Sequence, residues 1–289
     1  MSVEINTLPD SSNQGISSNI KPNLGDRMKS YESITTQLRI SREDILIVRL
    51  DGRSFSSFTR SLKKEGPFHS GFTTIMKEVT YHLVNTYNPI IGYTQSDEIT
   101  LVFINSARSE HPFGGRVFKI QSLMGADASL YFNSLLLKHI PEKAGSFAMF
   151  DCRAFSVPSL SEAYECLIWR QKDGYRNAVS AVARLHFSVK QLHGKKRKEQ
   201  LAMLLQKGVD FDDSYHITYR YGTFYVRESE LRTFTATELS ALPPKHKAHS
   251  APSLLFSRSI VKEIPFSEIK AKLTKISFLL SKLHIEQSH

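Results

Sequence analysis

The chain has 289 residues, a formal net charge of +10 and 40% hydrophobic residues, enough apolar material for one large domain or a domain with an appendage. Its two cysteines, Cys152 and Cys166, lie outside any Cys-x-x-Cys spacing, which excludes zinc-finger and disulfide-framework readings. No apolar run is long enough for a membrane-spanning helix, and the basic excess points to a polyanionic partner, with nucleic acid ahead of a membrane surface.

Residues 1–23 are rich in Ser and Asn and short of large apolar groups, the composition of a flexible arm. The first twenty residues carry Glu4 and Asp10 and neither Lys nor Arg. They resemble neither a secretory signal nor an Arg-rich transit peptide. The expected compartment is the reducing cytoplasm, with the mitochondrion as the alternative. A short helical lead-in, Leu24–Glu32, precedes the run Ile45–Asp51, which reads as a buried strand ending on a carboxylate. Gly52 then permits a sharp turn and close approach of a ligand.

Ser70 is placed to cap a helix running to about Tyr87, with Phe72, Ile75, Met76, Val79 and Leu83 on one face. Asn88-Pro89 stops it. Ile90–Gln95 and Ile99–Ile104 read as a hairpin with Ser96-Asp97-Glu98 at its tip. A polar loop over 105–115, a helix Arg116–His139 and a strand Phe147–Val157 follow, and Pro158 closes the segment. This α+β order over 24–158 is the ferredoxin-like βαββαβ arrangement. Polymerase palms and nucleotide cyclases share it with many non-enzymes, so the fold alone does not decide the function.

Beyond Pro158 the chain turns mainly helical, and 159–228 is read as an extension of the catalytic unit. Ser159–Glu162 is a capping box opening a helix to Lys172, which Asp173-Gly174 is expected to break. Tyr175–Lys190 and a segment from Lys195 to Gly208 read as further helices, and Thr223–Arg227 as a strand. Residues 229–260 are expected to be loop-rich. A last helix in 229–289 carries Ile269, Leu273, Ile276, Leu280 and Leu283 as an apolar stripe, suited to packing on the body or on another subunit.

Nucleotidyl transfer at metal sites needs hard oxygen ligands, and two magnesium ions about 3.5–4 Å apart stabilise both the attacking and the leaving oxygen. Asp51, Asp97 and Glu98 are the candidate catalytic carboxylates, Asp51 and Asp97 also the candidate metal ligands, with the Gly52 carbonyl as a further ligand. Taken singly, each acid is a strand-end carboxylate in a turn; the arrangement makes their elements neighbours. Glu98 alternates to the other face of its strand and is the weaker ligand candidate, suited to orienting or supporting. The turn Gly52, Arg53, Ser54, Phe55, Ser56 can offer N–H groups and hydroxyls to a triphosphate, with Lys63 and Lys64 soon after. Arg116, Lys119 and Ser122 fall on roughly one face of a helix start, either a phosphate site or an exposed helix turn. Asp151 and Arg153 share a face of their strand. His69, His82, His111 and His186 show no metal-ligand spacing.

Leu50–Phe58, Tyr93–Glu98, Phe150-Asp-Cys-Arg153 and Trp169-Arg-Gln171, in this order over residues 24–228, together resemble the tRNA(His) guanylyltransferase family. The resemblance implies a polymerase-like palm, two Mg2+ ions, GTP, ATP or other nucleoside triphosphates, tRNA as partner, and a homo-oligomer, a tetramer. It implies that Asp51, Gly52 and Asp97 ligate metal, that Asp51–Ser56 with Ser96 and Asp97 line the nucleotide site, and that Arg116, Lys119 and Arg153 meet phosphates. Where members that act on tRNA(His) carry His-Ile-Asn-Asn, this chain has Tyr175-Arg-Asn-Ala178. Ser56 replaces the family histidine, and the family's nucleotide-contacting lysine falls near Gly66. Gly25–Glu32 and Phe113-Gly-Gly-Arg116 resemble the guanylyltransferase-like branch, whose activity is template-dependent 3′-to-5′ addition at tRNA 5′ ends. The alternatives are addition of the extra guanylate to tRNA(His), a nucleotide cyclase, and an RNA-binding module without catalysis.

Overall fold

The computed structural model describes residues 23–60, 62, 67–105, 110–251, 253–269, 271 and 274. Helix α1 (Leu24–Thr36) is capped by Asn23, whose side chain accepts from the Asp26 N–H. Strand β1 (Ile45–Gly52) is followed by the short α2 (Phe55–Arg60), α3 (Ser70–Tyr87), the hairpin β2 (Ile91–Gln95) and β3 (Glu98–Phe103), α4 (Val117–His139) and β4 (Phe150–Val157). Then come α5 (Leu160–His186), α6 (Val189–Leu192), α7 (Arg197–Gln206), α8 (Phe211–Ser214), α9 (Ile217–Tyr221), β5 (Thr223–Arg232), α10 (Ala236–Ala241) and β6 (Phe256–Ile264).

The six strands form one antiparallel sheet in the order β4-β1-β3-β2-β5-β6. Strand period 2 sorts β1 into two faces. Leu46, Val48 and Leu50 join the core under α3 and α4, with Phe72, Ile75, Met76, Ile120 and Phe132. Ile45 and Ile47 join the opposite core with Leu160, Ala163 and Leu167 of α5. A third cluster holds α5 against α7 and α8 through Tyr175, Val179, Val182, Leu204 and Phe211. Cys152 and Cys166 are free thiols packed at the edges of the two sheet cores.

Four expectations need correction. His69, not Ser70, caps α3: its ring nitrogen accepts from the Phe72 N–H, placing Ser70 inside the first turn. Asp173-Gly174 does not break a helix, because α5 runs through it for 27 residues. A Cβ at Gly174 would lie 1.8 Å from Gln95 Oε1, so the glycine serves close packing, while Asp173 accepts from Arg170 and Arg176 one turn either side. Residues 229–260 are not mainly loop: β5 continues to Arg232, α10 follows, and β6 pairs along β5 from Phe224↔Ile264 to Arg232↔Phe256. As the edge strand, β6 buries few side chains, so its apolar alternation is faint. The 195–208 helix begins only at Arg197 and ends at Gln206. Of the C-terminal stripe, Ile269 is buried among the α5 face; Leu273, Ile276, Leu280 and Leu283 lie outside the described residues.

Candidate active site

Three backbone features converge where β1 ends. The Gly52 N–H donates to the Asp97 carbonyl at 3.0 Å, tying the strand exit to the hairpin tip, and the Arg53 N–H donates to the Met149 carbonyl at 2.8 Å. Ser54 and Ser96, one in each turn, hold φ values of 59° and 54°. Such left-handed non-glycine backbone costs energy and gathers at functional sites. The two acidic elements therefore meet, as the sequence reading expects.

The ladder decides which acids share a face. Asp51 stands directly opposite Glu98 on β3 and opposite Asp151 on β4, so all three side chains project to the α5 side. Arg153, on the same side, lies 3.9 Å from Asp51 and 3.4 Å from Asp151. Burial pushes the Asp51 carboxyl above the ordinary carboxylate range; Asp97, then Glu98 and Asp151, add repulsion, and Arg153 opposes it. Burial also raises Asp97, against the hydroxyl of Ser96, which donates to its Oδ1 at 3.0 Å. Glu98 is otherwise engaged: Arg170 of α5 donates to both its oxygens at 2.8 and 2.5 Å, and Asp173 holds the same guanidinium at 3.1 Å. Glu98 thus supports the site, and Arg170, which sequence reasoning left without a role inside Trp169-Arg-Gln171, is its partner.

The carboxylates of Asp51 and Asp97 are crowded, part-buried and negative, the condition that a hard divalent cation relieves. Among the described residues no three His, Cys, Asp or Glu side chains form a metal cage. The donor set is two carboxylates with the Gly52 carbonyl nearby, which suits magnesium, an ion that keeps waters and takes substrate phosphates as ligands.

The turn after β1 offers fewer donors than expected. Gly52 and Arg53 spend their N–H groups internally, while those of Ser54, Phe55 and Ser56 have no protein partner among the described residues. The Phe55 side chain is not available to a nucleotide. It is buried in a ring cluster with Phe58, Phe72, Phe132 and Phe150, at centroid distances of 5.1 to 5.7 Å. Lys63 and Lys64 lie outside the described residues.

Arg116, Lys119 and Ser122 are not brought to the acids within one chain. Helix α4 packs on the face of Leu46, Val48 and Leu50, opposite to that of Asp51. Arg116 bridges Arg39, ahead of β1, and its Nε donates to the Phe113 carbonyl. Ser122 donates to the Phe118 carbonyl. The charges felt by Asp51 come from Asp97, Glu98, Asp151 and Arg153. His69 caps α3, His111 bonds the Asp44 carbonyl, and His82 pairs with Asp127 at 2.9 Å and stacks on Tyr131.

The family model described as tRNAHis guanylyltransferase matches residues 25–158, the segment that carries these acids. A protein of Acanthamoeba polyphaga mimivirus is 33% identical over 218 residues, covering 68% of this chain and 73% of the relative. The chain belongs to the tRNA(His) guanylyltransferase family. Members of this family are nucleotidyltransferases. A bacterial tRNA(His) guanylyltransferase-like protein solved in complex with ATP superposes with a TM-score of 0.65 at 29% identity, over 71% of this chain and 87% of that one. A complex with GTP gives 0.63 at 24% identity, over 86% and 95%, and supports the fold. Curated relatives named tRNA(His) guanylyltransferase, from two yeasts and Arabidopsis thaliana, are 26–27% identical, and the chain spans between 26% and 56% of their length. No helix among the described residues is long and apolar enough to cross a membrane.

Proposed function

We propose that this family member catalyses template-dependent 3′-to-5′ addition of nucleotides to the 5′ end of tRNA, on a ferredoxin-like palm. The observation that carries the reading is the meeting of Asp51 and Asp97 at the tip of β1, with both carboxyls raised by burial. Asp51, Asp97 and the Gly52 carbonyl would hold two magnesium ions, which when bound activate the attacking hydroxyl and steady the leaving oxygen. The chain's own residues orient the reactants. The free N–H groups of Ser54, Phe55 and Ser56 and the exposed Arg153 side chain suit the triphosphate of a GTP, ATP or other nucleotide. Glu98, gripped on both oxygens by Arg170, stands opposite Asp51 without competing for the ligand positions. The 3′-hydroxyl of the incoming nucleotide attacks the activated 5′ phosphate of the RNA, and pyrophosphate or a nucleoside monophosphate leaves.

Template-directed addition is favoured over dedicated recognition of tRNA(His) by the place of Tyr175. Where His-Ile-Asn-Asn is replaced, Tyr175 is buried, stacks on Tyr221 at 5.2 Å and meets Phe211 edge-on. It is a core residue there, not a surface reader of one RNA. The test is a 5′-extension assay with magnesium on 5′-truncated tRNAs of several types and on intact tRNA(His). Extension of truncated tRNAs according to the opposing base is expected. Addition of a single guanylate to tRNA(His) alone would reject the template-directed reading. Activity surviving Asp51→Ala and Asp97→Ala would reject the metal assignment.

A further inference from the structure

Helices α5 and α7 pack together, with the Ser180 hydroxyl on Gln200 and the Arg197 guanidinium over Tyr175. They leave a groove of about 470 Å³ between Trp169, Lys172 and Arg176 on one wall and Lys196, Arg197 and Lys198 on the other. Two acids also line it, and both are engaged. Asp173 is held by Arg170 and Arg176, and Glu199 accepts from Lys195 Nζ and the Lys196 N–H. Lys172 and Lys198 are exposed and have no ion-pair partner among the described residues. The groove is therefore net cationic, beyond what its own fold neutralises.

Trp169 supplies the other half of the argument. It is the sole tryptophan of the chain and is 53% exposed on the groove. A large aromatic at that exposure in a cationic channel is the pairing that holds unpaired nucleic acid, a π-face for bases beside cations for the backbone. Its position also fits. The Arg49 guanidinium lies 5.4 Å from its ring, and Arg49 precedes Asp51 on the same strand face by two residues, about 7 Å along the strand. Its neighbour Arg170 reaches Glu98, opposite Asp51. The groove thus begins beside the acids.

We propose that the α5–α7 groove seats an unpaired RNA strand, with Trp169 stacking a base and Lys172 and Lys198 holding phosphates. Resting on the function proposed above, that strand is the 3′-terminal one, which a recessed 5′ end necessarily leaves without a partner. An acidic protein segment would use the cations but not the exposed indole.

Trp169 fluorescence reads the contact directly. Titration with a single-stranded oligoribonucleotide of about eight nucleotides is expected to quench it. Binding followed by a label on the RNA should weaken about tenfold or more in Trp169→Ala, and Trp169→Phe should restore most of it. Lys172→Gln with Lys198→Gln, both at exposed positions, should lower the slope of log affinity against log salt by about 1.4. Equal quenching by a blunt RNA duplex or by poly-glutamate overturns the assignment. Extension of truncated tRNA without any RNA effect on Trp169 also overturns it and leaves the catalytic reading standing. Quenching without extension supports the groove and sinks the catalytic reading instead.

Discussion

Arg170 grips both oxygens of Glu98 from the first buried turn of α5 beyond Trp169, and Glu98 sits across the ladder from Asp51. The guanidinium is nearly enclosed, at 7% exposure against 23% for its partner. Removing one member of such a pair leaves a part-buried charge uncompensated. Arg170→Ala is expected to cost about 3 kcal/mol in a denaturant melt. Arg170→Lys should recover little of it, since an ammonium cannot reproduce the fork. A double variant, Arg170→Met with Glu98→Gln, should be more stable than Arg170→Ala. Equal stability of Arg170→Ala and the parent would show that the pair carries no weight.

The acids themselves should be a liability to the fold. Burial and mutual repulsion raise Asp51 and Asp97. Between the unfolded and folded pKa values the folded state therefore binds more protons. That contribution to stability is full below the unfolded value, about 3.9 for Asp, and is lost as pH rises through the folded values. Asp51→Asn and Asp97→Asn are expected to raise Tm at neutral pH, by about 2–4 °C for each 1 kcal/mol relieved, while abolishing extension. Their advantage should shrink as pH falls towards 4. Magnesium should raise the Tm of the parent and not of Asp51→Asn, and a chelator should reverse the rise. Lower Tm in both Asn variants would make the two acids structural.

What the sequence made legible was whatever repeats with a short period or sits in a short motif. The α3 face, the β1 alternation and the Asp51–Asp97 meeting were readable because burial imposes period 3.6 or 2 on a run of neighbours. The depth of Phe55 was not, because a residue inside a Gly-Arg-Ser-Phe-Ser turn carries no periodic signal, and the rings of Phe72, Phe132 and Phe150 from distant elements decide its place. Arg116, Lys119 and Ser122 have the right chemistry on one helix face. Which side of the sheet that helix covers is a tertiary fact that no local spacing encodes. The partner of Glu98 was hidden for the same reason, 72 residues away.

Gly174 turns that lesson into a measurement. In an isolated helix Ala is better than Gly by about 1 kcal/mol. Here a Cβ would meet the Gln95 carboxamide, which Tyr93 Oη–H and the carbonyls of Tyr219 and Arg220 hold in place. Gly174→Ala is therefore expected to destabilise, reversing the propensity. Gln95→Ala in the same chain should restore the gain from Ala. A stabilising Gly174→Ala in the parent background would show that Gln95 moves freely.

Gly52 is tested in the same way, at the acids. Its φ is ordinary, so the need for glycine comes from space: a Cβ would stand 2.4 Å from a ring carbon of Phe55. Phe55 cannot yield easily, since Phe72, Phe132 and Phe150 pack around it. The backbone cannot yield either without disturbing the Gly52 N–H donated to Asp97. Gly52→Ala is expected to cost about 1–3 kcal/mol and to reduce extension through kcat. Phe55→Leu alone should destabilise by loss of packing. Combined with Gly52→Ala it should cost less than the sum of the two, with a coupling of about 1 kcal/mol or more. Recovered stability without recovered kcat would mean that the Asp97 contact, and not the ring cluster, carries the catalytic geometry. Strict additivity would mean that the ring and the glycine act independently, and the close contact would then have no part in holding the two acidic turns together.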